Sequence, residues 1–147
     1  MSLSGHFEGK THILPVRIYY ADTDLSGVVY HANYLAYMER GRSEFFRACG
    51  IARLVQMDEP EPTAWTLRKV ELEYLKPARI DDLLEVHTRM TGLTGARMNA
   101  AQDVYLNGQM LTRGTIEACV ITLTGKPRRI PQEVRDKLSP FLYETVT

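Results

Sequence analysis

Hydrophobic and polar positions change period several times along the chain, and each change marks an element. Residues 14–20 are apolar and β-branched in strand fashion, with Pro15 at the beginning, where a missing backbone donor disturbs a ladder least. From residue 32 to residue 49 the apolar positions recur at helical spacing instead. Leu35, Met38, Phe45, Phe46 and Cys49 fall on one face, and Glu39, Arg40, Glu44 and Arg47 fall largely elsewhere. Gly50 predicts the stop of that helix. Gly41, inside it, weakens a helix by about 1 kcal/mol relative to Ala, so its presence predicts close approach of another element to that face.

Residues 51–62 are irregular and acidic, with Asp58, Glu59, Glu61 and two prolines, and predict a short helical turn and then a loop. A period of two follows. Val70, Leu72 and Tyr74 alternate with Lys69, Glu71 and Glu73 until Lys76 and Pro77 end the run, and Leu84, Val86, Thr88 and Met90 alternate with Glu85, His87 and Arg89. Residues 92–95 supply a hairpin connection to a strand over 97–106. Asn107 and Gly108 then form the strongest two-residue hairpin signal in the chain, because both tolerate the positive φ of a type I′ turn. A last long strand covers 110–123 and a short terminal helix 131–138.

The order is βα, loop, ββββ, in one domain of 147 residues whose first twelve are expected to fray. One helix cannot cover both faces of five twisted strands, so the pattern predicts an apolar outer sheet face and oligomerisation to cover it, to a dimer at least, with a homotetramer the expected assembly.

Charge balances at 18 basic and 18 acidic residues, which points away from nucleic acid or an anionic membrane as the main partner. Lys126, Arg128 and Arg129 are a local excess whose default reading is a solvated turn. Cys49 and Cys119 lie far apart within apolar runs and read as buried free thiols, which fits a reducing compartment. No apolar run approaches the ~20 residues of a membrane helix, so a soluble cytoplasmic chain is expected.

The candidate chemistry sits at the strand-to-helix junction, residues 22–34, which read Asp22-Thr-Asp24-Leu-Ser26-Gly27-Val-Val-Tyr30-His31-Ala-Asn33-Tyr34. Backbone N–H groups at a helix start lack intrahelical partners and suit an anion or a carbonyl oxygen. A calcium loop opening at Asp22 would match at Asp24, Ser26 and Gly27, but its twelfth position is Asn33 rather than a bidentate Glu. An aspartyl-phosphate reading of the Asp-x-Asp pair resembles haloacid-dehalogenase-like phosphatases, yet one helix and a meander do not make their repeated βαβ units. A turn and a helix cap remain, and Asp22 fits them; for Asp24 two readings stand side by side, a cap or turn residue, or a free carboxylate where Ser26 or Asn33 takes the cap instead. His31 lies at the helix start, where the macrodipole disfavours its charged form.

The stretch from Tyr20 to Tyr34, with Glu39 and Arg42 on the helix, resembles the signature of the 4-hydroxybenzoyl-CoA thioesterase group, nearest its YbgC/FadM-like branch. Tyr74-Leu-Lys-Pro-Ala78 and Pro127-Arg-Arg-Ile-Pro131 extend the likeness over most of the chain. The resemblance implies an α+β hotdog fold, a curved five-stranded antiparallel sheet around one long helix. It implies an acyl-CoA thioesterase that needs no cofactor, coenzyme A being part of the substrate, with acyl carrier protein thioesters as a further class. Asp24 takes the position of the catalytic carboxylate, which attacks the thioester directly or activates water. A backbone N–H near His31 would meet the carbonyl oxygen, His31 would position the reacting groups, Tyr30 would shape the acyl pocket and Asn33 is a polar neighbour. Glu39 reads better as a structural ion pair with Arg40, Arg42 or a strand. Arg97 stands where relatives commonly carry a small residue, and either binds phosphate or pairs with an acid such as Asp103; Arg89, Lys126, Arg128 and Arg129 are further cations for the coenzyme A phosphates. The other implied readings are a non-enzymatic acyl-binding scaffold and a hotdog dehydratase.

Overall fold

The change of period at residue 33 is realised as α1 (Asn33–Ala48), whose buried residues Tyr34, Tyr37, Met38, Gly41, Phe45 and Phe46 recur at helical spacing. Leu35, assigned above to the apolar face, is 44% exposed. The tyrosines Tyr34 and Tyr37 take the inward positions, so the buried stripe runs beside Leu35. Gly50, at φ +92°, ends the helix, and the Ile51 N–H returns to the Phe46 carbonyl at 2.9 Å.

The computed structural model describes residues 3–51, 55–56 and 60–143. Its strands are β1 (His6–Glu8), β2 (Thr11–Arg17), β3 (Val55–Gln56), β4 (Thr63–Tyr74), β5 (Leu83–Leu93), β6 (Arg97–Leu106), β7 (Gln109–Thr122) and β8 (Pro127–Arg128), with α2 (Gln132–Leu138) near the end. They form one antiparallel sheet in the order β1-β2-β5-β6-β7-β4-β3, with β8 also on β7. The five expected strands are the long ones; β1, β3 and β8 are additions too short for a periodicity to reveal. Asn107 (φ +50°) and Gly108 (φ +80°) make the expected tight turn between β6 and β7.

Three expectations need correction. The start of the chain does not fray through residue 12: β1 pairs with β2, and Phe7 stacks on Phe141 at 4.7 Å and meets the edge of Phe45 at 5.7 Å. The pairing with β2 and the partial burial of the Phe7 ring anchor the segment. Between residues 51 and 62 the expected helical turn is replaced at 55–56 by β3, while 52–54 and 57–59 lie outside the described residues. β4 begins at Thr63, because a bulge between Leu67 and Lys69 shifts the side-chain alternation and hides its first half from a period-two pattern.

The outer sheet face is the third. It carries Glu85, His87, Arg89, Arg97, Arg113 and Glu117 rather than an apolar surface, laced by ion pairs of Arg97 with Glu117 (3.2 Å), Arg68 with Glu117 (2.6 Å) and Arg89 with Asp103 (3.3 Å). The polar half of each strand's alternation faces outward, so coverage of that face supplies no drive to associate.

The inner face wraps α1. Tyr34 and Tyr37 pack with Leu14, Val16, Leu84, Val86 and Val104, and Met38, Phe45 and Phe46 pack with Met90, Met98, Ile116 and Ala118. At Gly41 a Cβ would stand 2.7 Å from Val86 Cγ1 and 3.2 Å from Gln102 Nε2, which explains the glycine inside the helix. The fully buried Gln102 uses that space, donating to the Met38 carbonyl (2.8 Å) and to Thr88 Oγ1 (2.9 Å) and accepting from Arg42 Nη1 (3.0 Å). This is the hotdog arrangement, an antiparallel sheet around a helix.

Candidate active site

The sequence between β2 and α1 builds its own scaffold from short polar side chains. Asp22 closes a single helical turn, Tyr20–Asp22, by accepting the Tyr19 N–H at 2.8 Å, and its carbonyl collects the Tyr30 N–H (2.9 Å) and Asn33 Nδ2 (2.8 Å). Asp22 is therefore architectural. Asn33, expected as a polar neighbour of the substrate or a helix cap, is spent on that carbonyl. Thr23 bridges Val29, and within the resulting tight hairpin the Asp24 N–H meets the Val28 carbonyl and the Gly27 N–H meets the Asp24 carbonyl. Gly27 holds φ +80°, which a side chain would strain. The Val29 N–H then docks on the Ala78 carbonyl at 2.8 Å, fixing the loop to the segment that follows β4.

Asp24 is exposed at the tip of this hairpin, and its carboxylate accepts both the hydroxyl and the backbone N–H of Ser26. The Ser26 hydroxyl, then the Ser26 N–H, hold the Asp24 carboxyl below the usual carboxylate range. Lowering favours the charged form, so Asp24 is ionised from mildly acidic pH upward. Ser26→Ala removes the largest cause and should raise the Asp24 carboxyl toward its ordinary value, read as the carboxyl titration by NMR; an unmoved titration would show that the bond does not tune the group.

Ala32 precedes α1 in helical geometry (φ −70°, ψ −21°) without a side-chain cap. The Tyr30 carbonyl accepts the Asn33 N–H at 2.9 Å, and the His31 carbonyl accepts the Tyr74 hydroxyl at 2.7 Å. Among the described residues the N–H groups of His31 and Ala32 donate no hydrogen bond, so they are available to a ligand. The exposed His31 ring lies 4.5 Å from Tyr30 and edge-on to Tyr74 at 6.4 Å. Against it opens a cavity of about 290 Å3 lined by Val29, His31, Tyr34, Tyr74, Leu75, Lys76 and Pro77.

Of the residues marked from sequence, only His31 lines that cavity, with Tyr30 touching it through His31. Asp24 does not line it, and no hydrogen bond or ion pair joins Asp24 to His31 among the described residues. The cations lie elsewhere. Arg97 pairs with Glu117 rather than Asp103, Arg89 pairs with Asp103 and lies 5.5 Å above the Tyr143 ring, and Arg128 pairs with Glu61. Lys126 is exposed beside β8, and the Arg129 guanidinium packs over Gly95. Glu39 forms no contact ion pair among the described residues; it lines a smaller cleft of about 190 Å3 with Arg42, Ser43 and Trp65, and acts on Arg42 through its charge. Cys49 is buried, which pushes its thiol up to about 12, whereas Cys119 is only half-buried. Tyr34, Tyr74 and Lys76 went unmarked as site residues. The signal was present in the Tyr74-to-Ala78 motif, but alternation alone assigns Tyr74 to a strand.

The fold is that of a hotdog protein, and the loop before its central helix opens on a cavity walled by Tyr34 and Tyr74. The sequence profile of the thioesterase superfamily matches residues 26–112, a stretch that includes His31 and Tyr74 and begins just beyond Asp24. The chain is 39% identical over 122 residues to an acyl-CoA thioester hydrolase, YbgC, of Escherichia coli, covering 82% of this chain and 90% of that one. It is 38% identical to the acyl-CoA thioesterase YbgC of Haemophilus influenzae over a stretch of the same length, 82% and 89% of the two chains. A crystal structure of a probable thioesterase from Bartonella henselae superposes with a TM-score of 0.77 at 43% identity, covering 82% of this chain and 98% of that one. This chain belongs to the thioesterase superfamily, and it is a thioester hydrolase.

Proposed function

We propose that the protein hydrolyses acyl-CoA thioesters to a carboxylic acid and free coenzyme A, with thioesters of acyl carrier protein as a second substrate class. The observation that carries this reading is a pair of N–H groups, of His31 and Ala32, that have no partner among the described residues, at a helix start that opens on an aromatic-walled cavity. The thioester carbonyl oxygen gains negative charge as the carbon becomes tetrahedral, and these donors stabilise it. Asp24, ionised and anchored by Ser26, supplies the electron pair. It either attacks the carbonyl carbon, expelling the coenzyme A thiolate and leaving a mixed anhydride for water to cleave, or takes the proton of an attacking water. A mass increase of one acyl group on the peptide carrying Asp24 after rapid quenching distinguishes the first route.

His31 positions the thioester, Tyr30 shapes the acyl side, and Asn33 supports the turn that carries Asp24. Arg89, Arg97, Lys126 and Arg128 serve as the cations for the phosphates of coenzyme A; the three arginines must exchange their present carboxylate partners to do so. The large exposed apolar side chains Tyr20, Leu25, Tyr30, Leu35, Tyr74 and Leu75 belong to the loop, the first turn of α1 and the end of β4. A second copy packed there would bury them and enclose a site that one chain leaves open. A homodimer in the cytoplasm is the assembly this supports, to be checked as solution mass by light scattering. The polar outer sheet face removes the reason for expecting four subunits.

Thiol release from a panel of short, long and aromatic acyl-CoAs and from acyl carrier protein thioesters tests the activity. One thiol per acid formed is expected, and no release from any member would overturn the reading.

A further inference from the structure

Tyr74 is the last residue of β4, opposite Thr112 of β7, and the next N–H, that of Leu75, is bonded to the Leu111 carbonyl at 2.8 Å. Its backbone is therefore held by the sheet on the side away from the loop. Its ring leans edge-on against Tyr34 at 5.4 Å and against His31 at 6.4 Å, and Tyr34 is itself held by the Ala78 N–H at 3.2 Å. Yet Tyr74 remains 47% exposed and lines the cavity. A phenylalanine would make the same ring contacts. Only the hydroxyl makes the 2.7 Å bond to the His31 carbonyl.

That bond falls on a particular peptide group. In a planar trans peptide the C=O and N–H point in opposite directions, and no cis bond occurs among the described residues. Holding the His31 carbonyl thus sets the direction of the Ala32 N–H at the other end of the same group. The preceding peptide is held in the same manner, since the Tyr30 carbonyl accepts the Asn33 N–H and so orients the His31 N–H. One of the two free donors is aimed by the helix itself and the other by the sheet through Tyr74.

We propose that Tyr74 is a positioning residue for thioester cleavage, whose hydroxyl locks the His31–Ala32 peptide so that the Ala32 N–H is set before the substrate arrives to receive the developing oxyanion. The inference rests on the reading of the helix start as the carbonyl-binding end of a hydrolase. Without the bond the peptide rocks, and the donor must be re-aimed during the reaction, which lowers the rate more than substrate binding. Burial pushes the Tyr74 hydroxyl up from its ordinary value, so it stays protonated and able to donate.

Tyr74→Phe tests this, with thermal unfolding run beside it. Turnover is expected to fall about 10- to 100-fold, while KM changes by less than about 3-fold and the unfolding midpoint holds. A structural role would move the midpoint instead. A second readout uses a ketone analogue of acyl-CoA in which a methylene replaces the thioester sulfur. Its carbonyl stretch should shift to lower frequency on binding the wild type, and that shift should shrink in Tyr74→Phe. Wild-type kcat in Tyr74→Phe, or a lowered kcat with an unchanged carbonyl shift, overturns the role of Tyr74 alone. A wild type that turns over no thioester overturns the hydrolase reading and this inference with it.

Discussion

Asp24→Asn is expected to slow acyl-CoA hydrolysis by about 10²- to 10⁴-fold, the range typical of losing a positioned general base, with little change in stability. Asn keeps the size of the side chain and an oxygen able to accept the Ser26 N–H and hydroxyl, so the hairpin 23–29 should persist. The position is exposed, so no buried group loses a partner. The negative charge and the lone pair that attacks carbon or removes a proton are lost, because an amide oxygen is a poor nucleophile and a poor base near neutral pH. KM should move little, since Asp24 does not line the cavity against His31. The measurement is steady-state thiol release beside a solution mass and a melting curve; equal turnover in the two proteins would remove Asp24 from the mechanism.

Gln102→Leu should have the opposite profile, a large loss of stability with turnover per folded molecule preserved. Gln102 is fully buried on β6 and joins α1 to the sheet through the Met38 carbonyl, while also serving Thr88 and Arg42. Leu keeps most of the volume but satisfies none of these groups. Met38 retains an intrahelical role for its carbonyl, whereas Thr88 and the half-buried Arg42 guanidinium lose their partners. A buried group left unsatisfied costs about 1 to 3 kcal/mol, and more when charged, so about 2 to 4 kcal/mol is expected in all. At this chain length that lowers the unfolding midpoint by roughly 5 to 15 °C. A midpoint within about a degree of wild type would mean the network is energetically idle. Chemical denaturation gives the same answer independently, as a shift in midpoint at constant slope.

Much of the fold could be read along the chain because its causes are local. Helical spacing over α1, alternation along the second half of β4 and along β5, and the Asn107-Gly108 turn each depend on residues within a few positions of one another. Gly41 announced a close approach, and Val86 and Gln102 prove to be what approaches. Where a local rule was interrupted the reading failed: the bulge at Leu67/Lys69 masked half of β4, and three-residue β1 was too short to register. The expected apolar outer face failed for another reason. Alternation states that one side of a strand is polar, and the polar side turned out to be the outer one on β5, β6 and β7 alike.

In the candidate site the sequence alone singled out the junction and read Asp22 as a turn residue, since turn chemistry is written in short polar side chains, while the separate role given to Asp24 came from the family resemblance. It also placed His31 at a helix start. Spatial relations between distant segments came only from tertiary structure. The approach of Tyr74 to His31, of Ala78 to Val29 and of Arg97 to Glu117 depends on strand register, which is set by the sum of many side-chain contacts across the sheet rather than by any residue's neighbours in sequence. Tertiary structure therefore decided which charges were already paired and which donors were left free, because both follow from what lies across the space between elements.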